Sequence, residues 1–141
     1  MYRKFIILSL FVITGCFSCS KEQKEQAKED LVVNLITNNI WVVKNFTEDN
    51  NDLTLEFSDY EFKFNKDGTV YGIHLSAPQP NAVGTWLGNA TAMTIESYFK
   101  NETSVLKKLN GVWKIYDNTL SEVKAKRIEG QTEFKLYLIK K

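Results

Sequence analysis

Tyr60-Glu61-Phe62-Lys63-Phe64-Asn65-Lys66-Asp67-Gly68-Thr69-Val70-Tyr71-Gly72-Ile73-His74-Leu75 sets two alternating runs around an Asp-Gly pair. That pattern is the strongest short-range signal for an antiparallel hairpin. The turn type decides which side chains share a face. If Asp67 and Gly68 alone form a primed turn, Phe64, Phe62 and Tyr60 face Tyr71, Ile73 and Leu75, and His74 points outward opposite Glu61. If Asn65 to Gly68 form a type I turn with Gly68 as a left-handed bulge, the register slips by one. Phe64, Phe62 and Tyr60 then face Val70, Gly72 and His74 on the inner side. Asn first and Gly fourth suit the second turn, whereas counting apolar residues suits the first. The bulged register is the working expectation; it leaves Tyr71, Ile73 and Leu75 outside.

Outward from this hairpin the period of two continues almost to the end of the chain. Strands are expected at Trp41 to Thr47, Phe57 to Phe64, Val70 to Leu75, Gly84 to Leu87, Met93 to Tyr98, Gly111 to Tyr116, Leu120 to Arg127 and Thr132 to Ile139. Turn signals separate them at Asn50-Asn51-Asp52, Asp67-Gly68, Pro78 to Asn81, Gly88-Asn89, Asp117-Asn118 and Gly130. Residues 39–141 are about what eight strands with tight connections need. Eight meandering strands that close on themselves remove their exposed edges, so an all-β, antiparallel up-and-down barrel is expected, with an open β-sandwich as the alternative. Val105, Leu106 and Leu109 fall at helical spacing and suggest a short helix over one barrel end. Before the strands, Leu31, Val32, Leu35 and Ile36 form the apolar face of one N-terminal amphipathic helix, expected to cover Tyr71, Ile73 and Leu75.

The N-terminus carries an address. Met1-Tyr2-Arg3-Lys4 is a cationic head, and Phe5 to Ile13 is an apolar run too short to span a bilayer. Ile13-Thr14-Gly15-Cys16 then resembles the bacterial lipobox, whose cysteine becomes the lipidated first residue. Phe17-Ser18-Cys19-Ser20-Lys21 offers Cys19 as the alternative anchor, similar to junctions of Bacteroidetes lipoproteins. The expected organisation is a lipoprotein signal peptide at 1–15, a polar tether at 16–26 and a barrel domain with its helix at 27–141. It places the protein in the bacterial cell envelope, on the outer membrane, periplasmic or surface-exposed, with the membrane reached through the N-terminal lipid.

Charge and cysteine usage narrow the rest. Lys and Arg number 18 against 17 Asp and Glu, so the net charge gives no polyanion-binding field and no nucleic-acid partner is expected. Beyond Cys19 there is no cysteine, and His74 is the sole histidine. Disulfide frameworks, zinc ribbons and cysteine nucleophiles are thereby excluded. One histidine cannot supply a metal-ligand set, and no serine nucleophile motif surrounds it. Glu56, Asp59 and Glu61 lie in or beside a strand whose polar face is expected to be wet. No catalytic residue, cofactor or metal is expected, and the chain reads as non-enzymatic.

Tryptophans recur two residues after a small or turn residue at strand starts: Asn39-Ile40-Trp41, Gly84-Thr85-Trp86 and Gly111-Val112-Trp113. With Tyr60-x-Phe62-x-Phe64-Asn65-x-Asp67-Gly68-Thr69-Val70 between the first two, and Leu109-Asn110 before the third, the order resembles small lipocalin-like lipoproteins of Bacteroidetes from about residue 36 onward. The resemblance implies a lipocalin-like barrel that holds a small apolar or amphipathic ligand near Tyr60, Phe62, His74 and Trp86. It also implies that Arg127 packs across Trp41; a solvated Arg127 beside Lys124 and Lys126 is the other reading. Trp41, Trp113, Gly68 and Arg127 are taken as structural. Against a hollow barrel stand six large aromatics at expected inward positions, namely Trp41, Phe62, Phe64, Trp86, Trp113 and Phe134. An eight-stranded barrel is just wide enough to be filled by such side chains or to hold one small ligand. A non-enzymatic envelope protein with a filled barrel, contacting a protein or polysaccharide, is therefore the alternative function.

Overall fold

The computed structural model describes residues 23, 26, 30, 33–76, 81–100 and 103–141. The signal peptide, Cys16, Cys19 and the Pro78–Pro80 part of the expected turn lie outside the described residues.

The strands are β1 (Ile40–Glu48), β2 (Asn51–Asp52), β3 (Tyr60–Phe64), β4 (Thr69–His74), β5 (Ala82–Asn89), β6 (Thr94–Tyr98), β7 (Gly111–Asn118), β8 (Glu122–Glu129) and β9 (Thr132–Lys140). Neighbours pair antiparallel in the order β2-β1-β3-β4-β5-β6-β7-β8-β9, and β1 also pairs with β9. That last pairing closes the eight longer strands into a barrel and sets the open sandwich aside. The two ends differ. The near end is where β1 starts and where α1 (residues 33–37) enters; the far end is where β1 finishes.

The deciding hairpin adopts the bulged register. Tyr60 pairs with His74, Phe62 with Gly72 and Phe64 with Val70. Gly68 sits at φ +82°, a region that costs other L-residues a steric penalty. Its N–H donates to Asn65 O at 3.1 Å, closing the turn, while Asn65 N–H donates to Thr69 O at 2.8 Å. Asp67 completes the device by accepting the Thr69 N–H at 2.9 Å and its hydroxyl at 2.6 Å. The same Asp-x-Thr arrangement recurs where Asp52 accepts the Thr54 N–H at 2.9 Å and the Thr54 hydroxyl.

Those hydrogen bonds, chiefly the threonine hydroxyls, hold both carboxyls below the usual carboxylate range. A carboxyl with a lowered folded pKa contributes stability that is present above its unfolded value and is lost as pH falls through the folded one. Acid melting below about pH 4 should therefore weaken wild type more steeply than the Asp52→Asn/Asp67→Asn double variant. Parallel curves of melting temperature against pH would refute this.

Several boundaries move for local reasons. Residues Thr54–Phe57 form a 3-10 turn rather than the start of a strand, and its Phe57 is buried. Beside it β1 pairs with β3 only through Ile40↔Lys63 and Trp41↔Phe62. The backbone groups of Phe46 are satisfied instead by Leu53 N–H at 2.9 Å and the Thr54 hydroxyl at 3.0 Å. Asn118 remains in β7, because a register shift between Ile115 and Asp117 delays the turn, and Leu120 is an exposed turn residue rather than a strand residue. Met93 has φ 52° and precedes β6 instead of starting it.

Glu61 corrects another expectation. It is 8% exposed, not wet, and the side chain of Lys141 reaches it from the β9 side of β1. Lys141 N–H donates to Ile40 O at 2.9 Å, and the Lys141 ammonium pairs with the Glu61 carboxylate.

The N-terminal helix does not lie where expected. Gln23, Gln26 and Asp30 are each helical and exposed, and the first two belong to the stretch read as tether. At its other end Ile36 is buried in the core, and Leu35 and Ile36 border Met93, Ile95, Ile115 and Val123 at the near end of the barrel. Leu35 and Ile36 therefore serve the barrel's end rather than its wall, and Leu75 of the outer stripe remains 56% exposed. Leu31 and Val32 lie outside the described residues.

Candidate functional site

The barrel interior is the natural place for a ligand, and its lining is apolar. Phe62, Phe64, Val70, Ile95, Phe99, Trp113, Val123, Leu136 and Leu138 surround the centre, with Ser97 as a polar exception. The Ser97 hydroxyl is spent on Leu109 O at 2.5 Å. What remains open is about 30 Å³. That is room for a water or so, against the several hundred Å³ of a typical ligand pocket.

Both ends are closed. At the near end Ile36 O accepts the indole N–H of Trp41 at 2.9 Å, which ties the last turn of α1 to the barrel. The helix ends there because Asn39 caps it, its amide donating to Leu35 O at 2.8 Å. At the far end two short elements meet: the Thr54–Phe57 turn and α2 (Ser104–Lys107), the short helix expected from the spacing of Val105, Leu106 and Leu109. Phe57 packs 4.8 Å from Phe46, and Leu106 reaches the β4 backbone at Gly72, where an added Cβ would lie 3.2 Å from it. Phe99 fills the neighbouring space over Gly84, whose absent Cβ would otherwise lie 2.8 Å from the ring. Glu56 and Lys108 join the two elements at 2.7 Å, a half-exposed pair worth about 0–1 kcal/mol.

The expected ligand residues do not form one site. Tyr60 and His74 meet edge to face with ring centroids 4.8 Å apart, and Tyr60 stacks on Phe62 at 6.3 Å. They lie toward the far end, and the His74 Nδ1 is buried with no hydrogen-bond partner among the described residues. Trp86 is at the opposite end. It packs edge-on to Phe64 at 5.4 Å, and its indole N–H donates to Asn65 O at 2.8 Å. Its backbone N–H also binds Gly68 O at 2.8 Å, so Trp86 latches the deciding turn to β5.

Arg127 does not cover Trp41. Its guanidinium lies 5.1 Å from the Trp113 ring centre and 4.2 Å from that of Phe134, a cation–π sandwich at the far end. It also donates to Lys108 O at 3.2 Å and pairs with Glu129, while its Nε is buried without a partner among the described residues. The reason is register: Arg127 pairs with Phe134, at the opposite end of the barrel from Trp41.

Sequence reasoning missed Phe46, Phe57 and Phe99 as core residues, all buried at 1% exposure or less. Phe46 was hidden by the register shift between Val43 and Asn45, which breaks the alternation that began at Trp41. The other two stand outside the strands, where a period of two carries no information.

Among the described residues no group of three or more His, Cys, Asp or Glu could hold a metal ion, and no helix is long and apolar enough to cross a membrane. No family model and no curated protein matches the chain. Its fold is similar to the crystal structure of a DUF4847 family protein from Bacteroides vulgatus, at 14% identity and a TM-score of 0.51, over 74% of this chain and 95% of that one. At that identity the likeness is one of fold: a mostly β, closed eight-stranded antiparallel barrel of a kind also present in Bacteroides.

Proposed function

We propose that the chain is a non-enzymatic, lipid-anchored envelope protein whose solid barrel presents its outer wall to a macromolecular partner. The observation that carries the second half is the central void of about 30 Å³, too small for an apolar or amphipathic cargo. Both ends are plugged by side chains that belong to the core, so opening either one would expose buried aromatic area. The anchor rests on the cationic head, the apolar run and Ile13-Thr14-Gly15-Cys16.

Two measurements test the two halves. A hydrophobic fluorescent probe should show no saturable binding to the full chain; saturable binding abolished by Tyr60→Ala or Trp86→Phe would restore the carrier reading. Metabolic labelling with a palmitate analogue should follow Cys16, with Cys19 the alternative. Labelling that persists in the Cys16→Ala/Cys19→Ala double variant would refute the anchor.

A further inference from the structure

Resting on the reading of a solid barrel that works through its outer wall, we propose that a row of lysines across β7, β8 and β9 docks a carboxylate-bearing polysaccharide. Lys114 is directly opposite Lys126, and Lys126 directly opposite Lys135. The flanking residues Trp113, Ala125 and Phe134 are buried, so all three lysines point out of the barrel. Like charges placed opposite one another across strands are destabilising. Three in register oppose the sheet's own energetics, which is the kind of local conflict that marks a surface used for something else.

Among the described residues the row makes one ion pair. Lys135 pairs with Glu133 at 2.9 Å, an exposed contact that a ligand carboxylate can replace. Lys114 donates to Ala92 O, a neutral group. Lys126 has no ion pair among the described residues, and its charge helps Lys135 hold the Glu133 carboxyl below its ordinary range. Exposed side chains border the row: Tyr116 on one side, and on the other Leu87, Val112 and Ile128, with Glu96 in register between the first two and Glu133 opposite the third. Tyrosine rings and aliphatic side chains of this kind pack against the C–H faces of sugar rings while ammonium groups take the carboxylates.

Spacing favours this partner over the other anionic polymers. Neighbouring strands lie about 4.8 Å apart, so the row offers one cation per strand spacing over about 10 Å. A sugar ring advances a polysaccharide by close to one such spacing, so carboxylates on successive or alternate rings find a lysine. An extended acidic peptide presents same-face side chains about 6.7 Å apart and falls out of step. A bilayer fits worse, because the row runs around the circumference of a convex wall and a flat surface touches it only at a tangent.

The test uses the full chain in detergent with polygalacturonate as the probe, dextran as the neutral control, polyglutamate as the acidic peptide, and phosphatidylglycerol against phosphatidylcholine vesicles for the membrane. Polygalacturonate should bind saturably and be displaced by salt. The Lys114→Gln/Lys126→Gln/Lys135→Gln variant should bind at least about tenfold more weakly, with an unchanged or higher melting temperature. A charge-matched Lys63→Gln/Lys66→Gln/Lys140→Gln variant should keep wild-type affinity, and Tyr116→Ala should lose affinity without losing charge. Equal weakening in both triple variants, tighter binding of polyglutamate or anionic vesicles, or no binding of polygalacturonate would overturn the proposal. The reading it rests on fails separately, through saturable apolar-probe binding that the lysine variant leaves intact.

Discussion

Replacing Trp41 by alanine is expected to cost about 3–5 kcal/mol, a large share of the 5–15 kcal/mol that ordinarily holds a domain of this size together. Trp41 is fully buried, but volume is only part of the effect. It stands at the closure of the barrel, registered against Phe62 of β3 on one side and Lys140 of β9 on the other. The β1–β3 ladder consists of Ile40 and Trp41 alone, so this short seam depends on the residue that fills the space behind it. Its indole N–H also holds Ile36 O, and loss of that bond frees the last turn of α1 and leaves a buried carbonyl unpaired. Trp41→Phe keeps most of the volume and loses the donor, so it should cost about 1–3 kcal/mol. Urea unfolding midpoints of the two variants separate the terms. A Trp41→Ala protein as stable as wild type would deny the seam its role.

How legible the molecule was follows the same physics. The Asp67-Gly68 hairpin was readable to its register because turn chemistry is local: Asn65, Asp67, Gly68 and Thr69 satisfy one another within five residues. The six inward aromatics of the strands were readable because alternation is local too, and all of them are buried. What closes the ends was readable in part. Helical spacing placed a short helix carrying Leu106 over one barrel end, whereas Phe57 sits on a single 3-10 turn, where neither period announces a buried residue. Helical spacing identified a face on the N-terminal helix but could not say which apolar surface it would meet, and Leu35 and Ile36 went to the near end instead of the Tyr71, Ile73, Leu75 stripe. Arg127 was misplaced for a related reason. Its partner depends on which tryptophan shares its end of the barrel, and that is a property of the whole strand order. The expected ligand residues do not gather in one place, because Tyr60 and Trp86 are both inward yet stand at opposite ends, a distinction invisible to a pattern that reports only faces.

The solidity of the barrel can be tested by removing it. Trp113 is 2% exposed, lines the central void, donates to Leu109 O at 2.8 Å and lies 6.1 Å from Phe46. Trp113→Ala should cost about 3–5 kcal/mol and merge the space vacated by the indole with the existing void. The walls are Phe62, Phe64, Ile95, Leu136 and Leu138, so the enlarged hollow should stay dry, as engineered apolar cavities of about 150 Å³ do, and accept benzene. Benzene at ten times its dissociation constant would return about 1.4 kcal/mol, raising the melting temperature of the variant while leaving wild type unmoved. Arg127 adds a second, independent sign. Its guanidinium rests on the Trp113 ring, so truncating the ring strips a buried cation of one face of its sandwich. Trp113→Ala/Arg127→Met should then cost less than the two single variants together. A wild-type protein that benzene stabilises as strongly as Trp113→Ala would mean that the barrel already has a usable hollow, and the carrier function would have to be taken up again.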